Sequence, residues 1–176
     1  MSFCEGNSHS SNAYGCLFCR VGCEDIVIRE IVKDETSISA ISPVKIRFIR
    51  GINRSEKVIL FPGYVFFSAP SNYDISSLIH NKYVYRALTY GDHGWQLVGG
   101  DREIAEALFQ AQGVIGFSKA YYENDRIRIV EGFLKKYEGN ILKVNHRMKT
   151  AQVLLKFNQI DLKVWLGFEV IEPIYH

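Results

Sequence analysis

Apolar and polar positions alternate with period two through most of the last third of the chain. Arg126-Ile127-Arg128-Ile129 opens the pattern and Asn140 to Asn145 continues it. Ala151, Val153, Leu155 and Phe157 then alternate with Thr150, Gln152, Leu154 and Lys156. Ile160, Leu162, Val164 and Leu166 alternate with Asp161, Lys163 and Trp165. Successive side chains of a strand point to opposite faces, so these four segments predict a small antiparallel barrel with one packed face. Gly132 to Gly139 reads as a loop, His146 to Lys149 as a turn and Asn158-Gln159 as a tight hairpin turn.

Upstream, helical and strand patterns interleave. A strand is expected over Tyr14 to Arg20, followed by the turn signal Val21-Gly22. A helix is expected over Glu24 to Lys33, with Ile26, Val27, Ile31 and Val32 as its apolar stripe and Glu24 and Asp25 favouring its N-terminus. Strands follow over Val44 to Ile52, Glu56 to Leu60 and Gly63 to Ser68, with a turn at Asn53. Asp74 is the expected N-cap of a helix reaching Asn81. Val84 to Leu88 and Gln96 to Val98 read as short strands. A helix runs from Asp101 to Gln110 with Ile104, Ala105 and Leu108 inward and Gly113 beyond its end. The expected organisation is a flexible lead-in (1–12), an α+β domain of antiparallel sheet with helices (13–112), a linker (113–121) and a small all-β barrel (122–176).

Composition is that of an ordinary globular chain: 47% apolar and 23% charged over 176 residues. The net charge of +2 arises downstream of Lys119, a bias compatible with nucleic acid. No apolar run approaches the roughly 20 residues of a membrane helix. Met1 to Asn12 lacks the basic and apolar regions of a signal peptide, so a cytoplasmic protein is expected. All four cysteines (Cys4, Cys16, Cys19 and Cys23) lie in the first 23 residues. Cys16 and Cys19 have the spacing of half a zinc site. Three apart on a strand, however, they point to opposite faces. Two buried cysteines and a third at a helix start are expected, with no metal and no cofactor.

Two segments carry a family resemblance. Phe61-Pro62-Gly63-Tyr64-Val65-Phe66-Phe67 resembles the signature of the N-terminal domain of NusG-type transcription factors. Asn124-Asp125-Arg126-Ile127-Arg128-Ile129, Gly132 and Tyr137-Glu138-Gly139 resemble the KOW motif of their C-terminal barrel. Their order matches the family over nearly the whole chain after Asn12. Leu97-Val98-Gly99-Gly100-Asp101 and Val164 to Glu169 resemble the LoaP branch, whose members are antiterminators of long operons. The chain departs from the family at Tyr14-Gly15, where Trp-Tyr is usual, and at Asn124, Phe133 and Lys136 in the KOW segment.

The resemblance implies a non-enzymatic, monomeric elongation or antitermination factor. It would hold the clamp region of bacterial RNA polymerase through Tyr14, Phe61, Pro62, Gly63 and Tyr64, and touch the non-template DNA strand through Arg20. In the barrel, Lys135, Lys136, Lys143, His146, Arg147 and Lys149 gather cations on loops, where phosphate contacts are made. Trp165 is in the outward phase of its strand and either stacks on a base of nascent RNA, or plugs the barrel end or packs on the linker. A KOW domain that grips a ribosomal or termination protein instead is the competing expectation. The basic hairpin positions Lys45, Arg47, Arg50, Arg54 and Lys57 read mainly as a solvated face, with contact to nucleic acid or the polymerase as the alternative. No phosphate loop, nucleophile motif or metal-binding histidine pair occurs in the sequence.

Overall fold

The computed structural model describes residues 12–33, 37–49 and 54–172. Cys4, His9, Arg50, Asn53, His176 and all of the expected lead-in except Asn12 lie outside the described residues. The chain is a mixed helix and sheet fold of two compact units. The first comprises residues up to Ala40 and Gly63–Leu97, the second Ile41–Pro62 with Val98 onward.

The first unit is built on strands β1 (Asn12–Cys19), β2 (Ser39–Ile41), β5 (Tyr64–Pro70) and β6 (Val84–Ala87). Their order in the sheet is β2-β5-β1-β6. β1 and β5 are antiparallel with Phe18 opposite Tyr64, Leu17 opposite Val65 and Cys16 opposite Phe66. Because side chains alternate across the sheet, Leu17, Val65, Phe67 and Ala69 share one face. That face packs in a core with Val27 and Ile31 of helix α1 (Glu24–Lys33). The buried face of α1 is Glu24, Val27 and Ile31, a spacing of three and four, and Val32 is 44% exposed. The expected stripe ran one position too wide, because Ile26 and Val32 sit off this line. A Cβ at Gly15 would lie 2.2 Å from the Phe67 ring, so this glycine makes room for the Phe67–Trp95 pair. Helix α2 is only one turn, Ser76–Ile79. Asp74 accepts bonds from the Ser76 N–H at 2.9 Å and its Oγ at 2.6 Å. Those bonds close an Asx-type turn two residues long rather than opening a longer helix. Gln96 to Val98 is not a strand, although Leu97 N–H still reaches the Tyr14 carbonyl at 2.8 Å.

The second unit contains the hairpin β3 (Val44–Ile49) and β4 (Arg54–Ile59), helix α3 (Gly99–Gln110) and β7 (Val114–Ile115). β7 pairs in parallel with β3. α3 buries Ile104, Ala105, Ala107 and Leu108. It begins two residues before Asp101, whose carboxylate instead accepts the Asn158 N–H at 3.1 Å. The end of α3 is closed by two backbone bonds, Gln112 N–H to Phe109 O and Gly113 N–H to Leu108 O, both 2.9 Å. This is the Schellman pattern, and it puts Gln112 at φ +52°, where glycine is usual.

The rest of the unit is a five-stranded sheet in the order β10-β11-β12-β8-β9. Its strands are β8 (Ser118–Glu123), β9 (Arg126–Glu131), β10 (Ile141–Asn145), β11 (Thr150–Phe157) and β12 (Ile160–Val170). β11 and β12 keep the expected register through the Asn158-Gln159 turn, whose residues have φ of +49° and +62°. Ala151, Val153, Leu155, Phe157, Val164, Leu166 and Phe168 are buried, whereas Ile160 at the hairpin tip is 55% exposed. Two findings depart from the sequence reading. β12 continues to Val170 and pairs in parallel, not antiparallel, with β8. The segment expected as one loop holds helix α4 (Phe133–Lys136) and a 3-10 turn at Glu138–Asn140. Leu134, fully buried, is the apolar anchor that turns this loop inward. Strands β7 and β8 also begin within residues 113–121.

A non-glycine residue at positive φ costs roughly 1 kcal/mol relative to glycine. Gln112 is exposed, so Gln112→Gly is expected to stabilise the protein by about 0.5–1 kcal/mol, read as a higher urea midpoint with unchanged slope.

Candidate functional site

In the first unit the candidate surface grows from one backbone knot. Gly63 has φ +81° and is buried. Its N–H donates to Glu24 Oε1 at 2.7 Å, and its carbonyl accepts the Cys19 N–H at 2.8 Å. Glu24 is only 2% exposed, and a buried carboxylate is tolerable only when hydrogen-bonded. It lies in the first turn of α1, where the helix dipole also favours a negative charge. A side chain at Gly63 would press on the Cys19 carbonyl at 3.1 Å and on Val21 at 3.3 Å. The segment 61–64 therefore has a backbone reason for its glycine.

The knot fixes Tyr64 opposite Phe18. The Phe18 ring lies 5.3 Å from Tyr64 and 5.6 Å from Tyr85, in tilted geometry that favours aromatic pairs. Tyr85 is 61% exposed, and Val21 in the adjoining turn is 64% exposed. Arg20 is exposed at the end of β1. Three aromatic rings thus line up at one end of the sheet, Phe18 and Tyr64 half-buried and Tyr85 exposed beside the exposed Val21.

The other expected docking residues take different places. Tyr14 is half-buried on the same face of β1 as Phe18, four residues and so about 13 Å away. Phe61 is buried in the second unit, 5.5 Å from Phe157. Pro62 is exposed. Phe18, Tyr85 and Val21 went unread in the sequence. The signal for Phe18 was its phase, two and four residues from Cys16 and Tyr14. Tyr85 had none, because a bulge between Phe18 and Cys19 brings it there.

Cys16 and Cys19 are both fully buried, and Cys23 is partly exposed just before α1. Burial first, then the charges of Glu24 and Cys23, pushes the Cys19 thiol up to about 11.

In the second unit the expected cations form two groups. Lys135 and Lys136 lie on α4, where Lys135 pairs with Glu138 at 3.6 Å and Lys136 Nζ donates to the Glu103 carbonyl at 3.0 Å. Lys143 is on β10, and His146, Arg147 and Lys149 are in the turn to β11. The His146 ring packs 5.4 Å from Tyr122, with Nδ1 3.1 Å from its hydroxyl. A cleft of about 610 Å³ opens beside His146 and is also lined by Arg126, Arg128, Asp125 and Glu138. In the sequence Arg126 and Arg128 are the polar phase of a strand within the KOW-like segment, with no sign of a cleft. Arg128 pairs with Glu123 at 2.9 Å. Gly132 (φ +96°) supports this region, because a Cβ there would meet Ser118 Cα at 2.8 Å. The Ser118 hydroxyl, almost fully buried, accepts the Leu134 N–H at 3.1 Å.

Trp165 is 39% exposed, between the buried Val164 and Leu166. Its backbone carbonyl accepts a bond from Lys45 Nζ at 3.0 Å. Burial, and secondarily Arg47, lowers the pKa of Lys45. Arg47 sits opposite Glu56 across the hairpin and is hydrogen-bonded to it at 2.6 Å.

The fold so described is that of the NusG-type proteins. The chain is similar to NusG of Thermotoga maritima, known from a structure concerned with domain interaction in that protein. The likeness has a TM-score of 0.53 at 18% sequence identity and covers 89% of this chain and 94% of that one. No family model and no curated protein sequence matches the chain. Among the described residues no helix is long and apolar enough to cross a membrane.

Two outcomes check the geometry of the knot. Gly63→Ala should lower stability by roughly 1–3 kcal/mol in urea unfolding, and a change within experimental error would remove the close approach from the account. A thiol whose folded pKa is raised contributes stability below its ordinary value near 9 and loses it as pH rises through about 11. Stability should therefore fall between about pH 9 and 11, and Cys19→Ser should blunt that fall. At pH 8, iodoacetamide should label Cys23 well before Cys16 and Cys19, read by peptide mapping.

Proposed function

We propose that this chain is a transcription elongation factor of the NusG family. The observation that carries the proposal is the aromatic row of half-buried Phe18 and Tyr64 with exposed Tyr85, in a chain with the NusG fold. Monomeric proteins rarely leave a contiguous apolar patch exposed without a partner. Aromatic rings lose little entropy on docking and bury much area, which suits a helix laid across them. The occupant proposed is the clamp region of bacterial RNA polymerase, with Tyr64 at the centre of the contact. Gly63 acts indirectly, through the backbone turn that sets Tyr64 opposite Phe18, whereas Phe61 packs against Phe157 and serves the second unit. Arg20 stands beside the row as the candidate contact to the non-template strand.

The second unit is proposed to act as a KOW barrel that binds nascent RNA. Lys143, His146, Arg147 and Lys149 are exposed on one strand and its turn, the arrangement that favours phosphate contacts. Together the two activities make an operon-selective antitermination factor of the LoaP type, working in the cytoplasm without catalysis. A general coupling factor, whose barrel grips a ribosomal or termination protein, is the competing reading. It is favoured by the ion pairs that already engage Arg128 and Lys135.

Binding of the purified chain to core polymerase tests the proposal. Tyr64→Ala and Tyr85→Ala should each weaken binding by about 30-fold, the effect of removing an interface hot spot worth ~2 kcal/mol. Lys33→Ala, at the far end of α1, should not. Wild-type protein that fails to bind the polymerase would sink the proposal.

A further inference from the structure

The second unit holds a recess that the polymerase contact does not use. It has a volume of about 230 Å³ and lies between hairpin strand β3 and strand β12. Phe48, Phe117, Met148 and Trp165 line it, with exposures of 45%, 37%, 43% and 39%. Lys45 and Arg47 are the charged residues of its rim, and among the described residues no acidic side chain lines it. Lys45 is held by its bond to the Trp165 carbonyl, which occupies one of its three donors. Gly167 forms the floor beside Trp165. The Phe117 ring lies directly on it, and a Cβ at Gly167 would come within 2.1 Å of that ring.

We propose that this recess is a cradle for one unpaired RNA base, with Lys45 and Arg47 meeting the neighbouring phosphates. The proposal rests on the reading of the second unit as an RNA-binding unit and adds the place and form of the contact. Volume argues for a single ring system: pockets for drug-sized ligands run to roughly 300–1,000 Å³, and this one is smaller. Aromatic faces beside cations are the chemistry of single-strand recognition, where rings stack on bases and cations follow the backbone. Charge supports an anionic chain over a neutral one, since both charged lining groups are basic. Arg47 is shared with Glu56, so Lys45 is the steadier of the two cations. A duplex keeps its bases stacked on each other and cannot fill the recess. The cradle therefore selects loops, bulges and single strands.

The experiment uses the full chain and a fluorescein-labelled, 12-nucleotide single-stranded RNA without self-complementarity, alongside the same RNA as a duplex. The single strand should bind more tightly than the duplex. It should quench tryptophan fluorescence in the wild type and leave it unchanged in Trp165→Phe, in which only Trp95 remains. Trp165→Ala should weaken single-strand binding by about tenfold, within the range for loss of one stacked base, and Trp165→Phe should keep part of the affinity. Lys45→Gln should reduce the slope of log affinity against log salt by about one. Circular dichroism of each variant checks that it is folded. Equal single-strand binding by wild type and folded Trp165→Ala, without quenching, would overturn the cradle and leave RNA binding elsewhere on the unit intact. No binding of either RNA would overturn both the cradle and the RNA reading. Quenching by an acidic aromatic peptide but not by RNA would reassign the recess to a protein partner.

Discussion

The arrangement of the first unit depends on two hydrogen bonds made by one peptide unit and its neighbour at Gly63. The residue gives its N–H to a buried carboxylate and takes the Cys19 N–H on its carbonyl. Glu24 ties it to the start of α1, and Cys19 ties it to the end of β1. The strand register follows from that point, and with it the position of Tyr64 opposite Phe18. A left-handed φ, a close carbonyl and a buried charge converge on a residue that could carry no side chain without strain. The aromatic row is therefore a consequence of backbone geometry at the adjoining residues.

The second unit repeats the device with different partners. Gly132 brings its backbone onto Ser118, and the Ser118 hydroxyl takes the Leu134 N–H. Leu134 is thereby pulled inward, and the lysines of α4 are left outside. On the hairpin side, Lys45 binds the Trp165 carbonyl, so that a cation and an aromatic ring are set side by side. In both units buried backbone bonds hold exposed side chains, which is how a surface can be chemically specific without being loose.

Much of this was legible in the sequence because burial imposes a period. The β11–β12 hairpin and its turn follow from alternation and from Asn158-Gln159 alone. α1 was bounded correctly by its first-turn acids and its last lysine, though its stripe was misdrawn, because Ile26 and Val32 are apolar without being inward. Other features carried no local signal. The parallel pairing of β12 with β8 is a tertiary fact, made from residues that had looked like linker. α4 hides in a run whose two buried residues, Leu134 and Tyr137, make a single helical spacing, too short a pattern to mark a helix. Aromatic residues were the least readable. Phe61 and Tyr64 stand three apart in one motif, yet Phe61 is buried against Phe157 and Tyr64 meets Phe18. Tyr85 joins them only through a bulge. Lys45 looked like one charge on a solvated hairpin, and its role depends on a carbonyl 120 positions further along.

The central claim is that the end of the sheet around Tyr64 is a docking surface for RNA polymerase. Hydrogen–deuterium exchange of the full chain, with and without core polymerase, tests it most directly. The account predicts that added polymerase slows exchange in peptides covering 17–21, 62–65 and 84–87, while 150–166 stays unchanged. Protection confined to 150–166, or no protection anywhere at saturating polymerase, would contradict it.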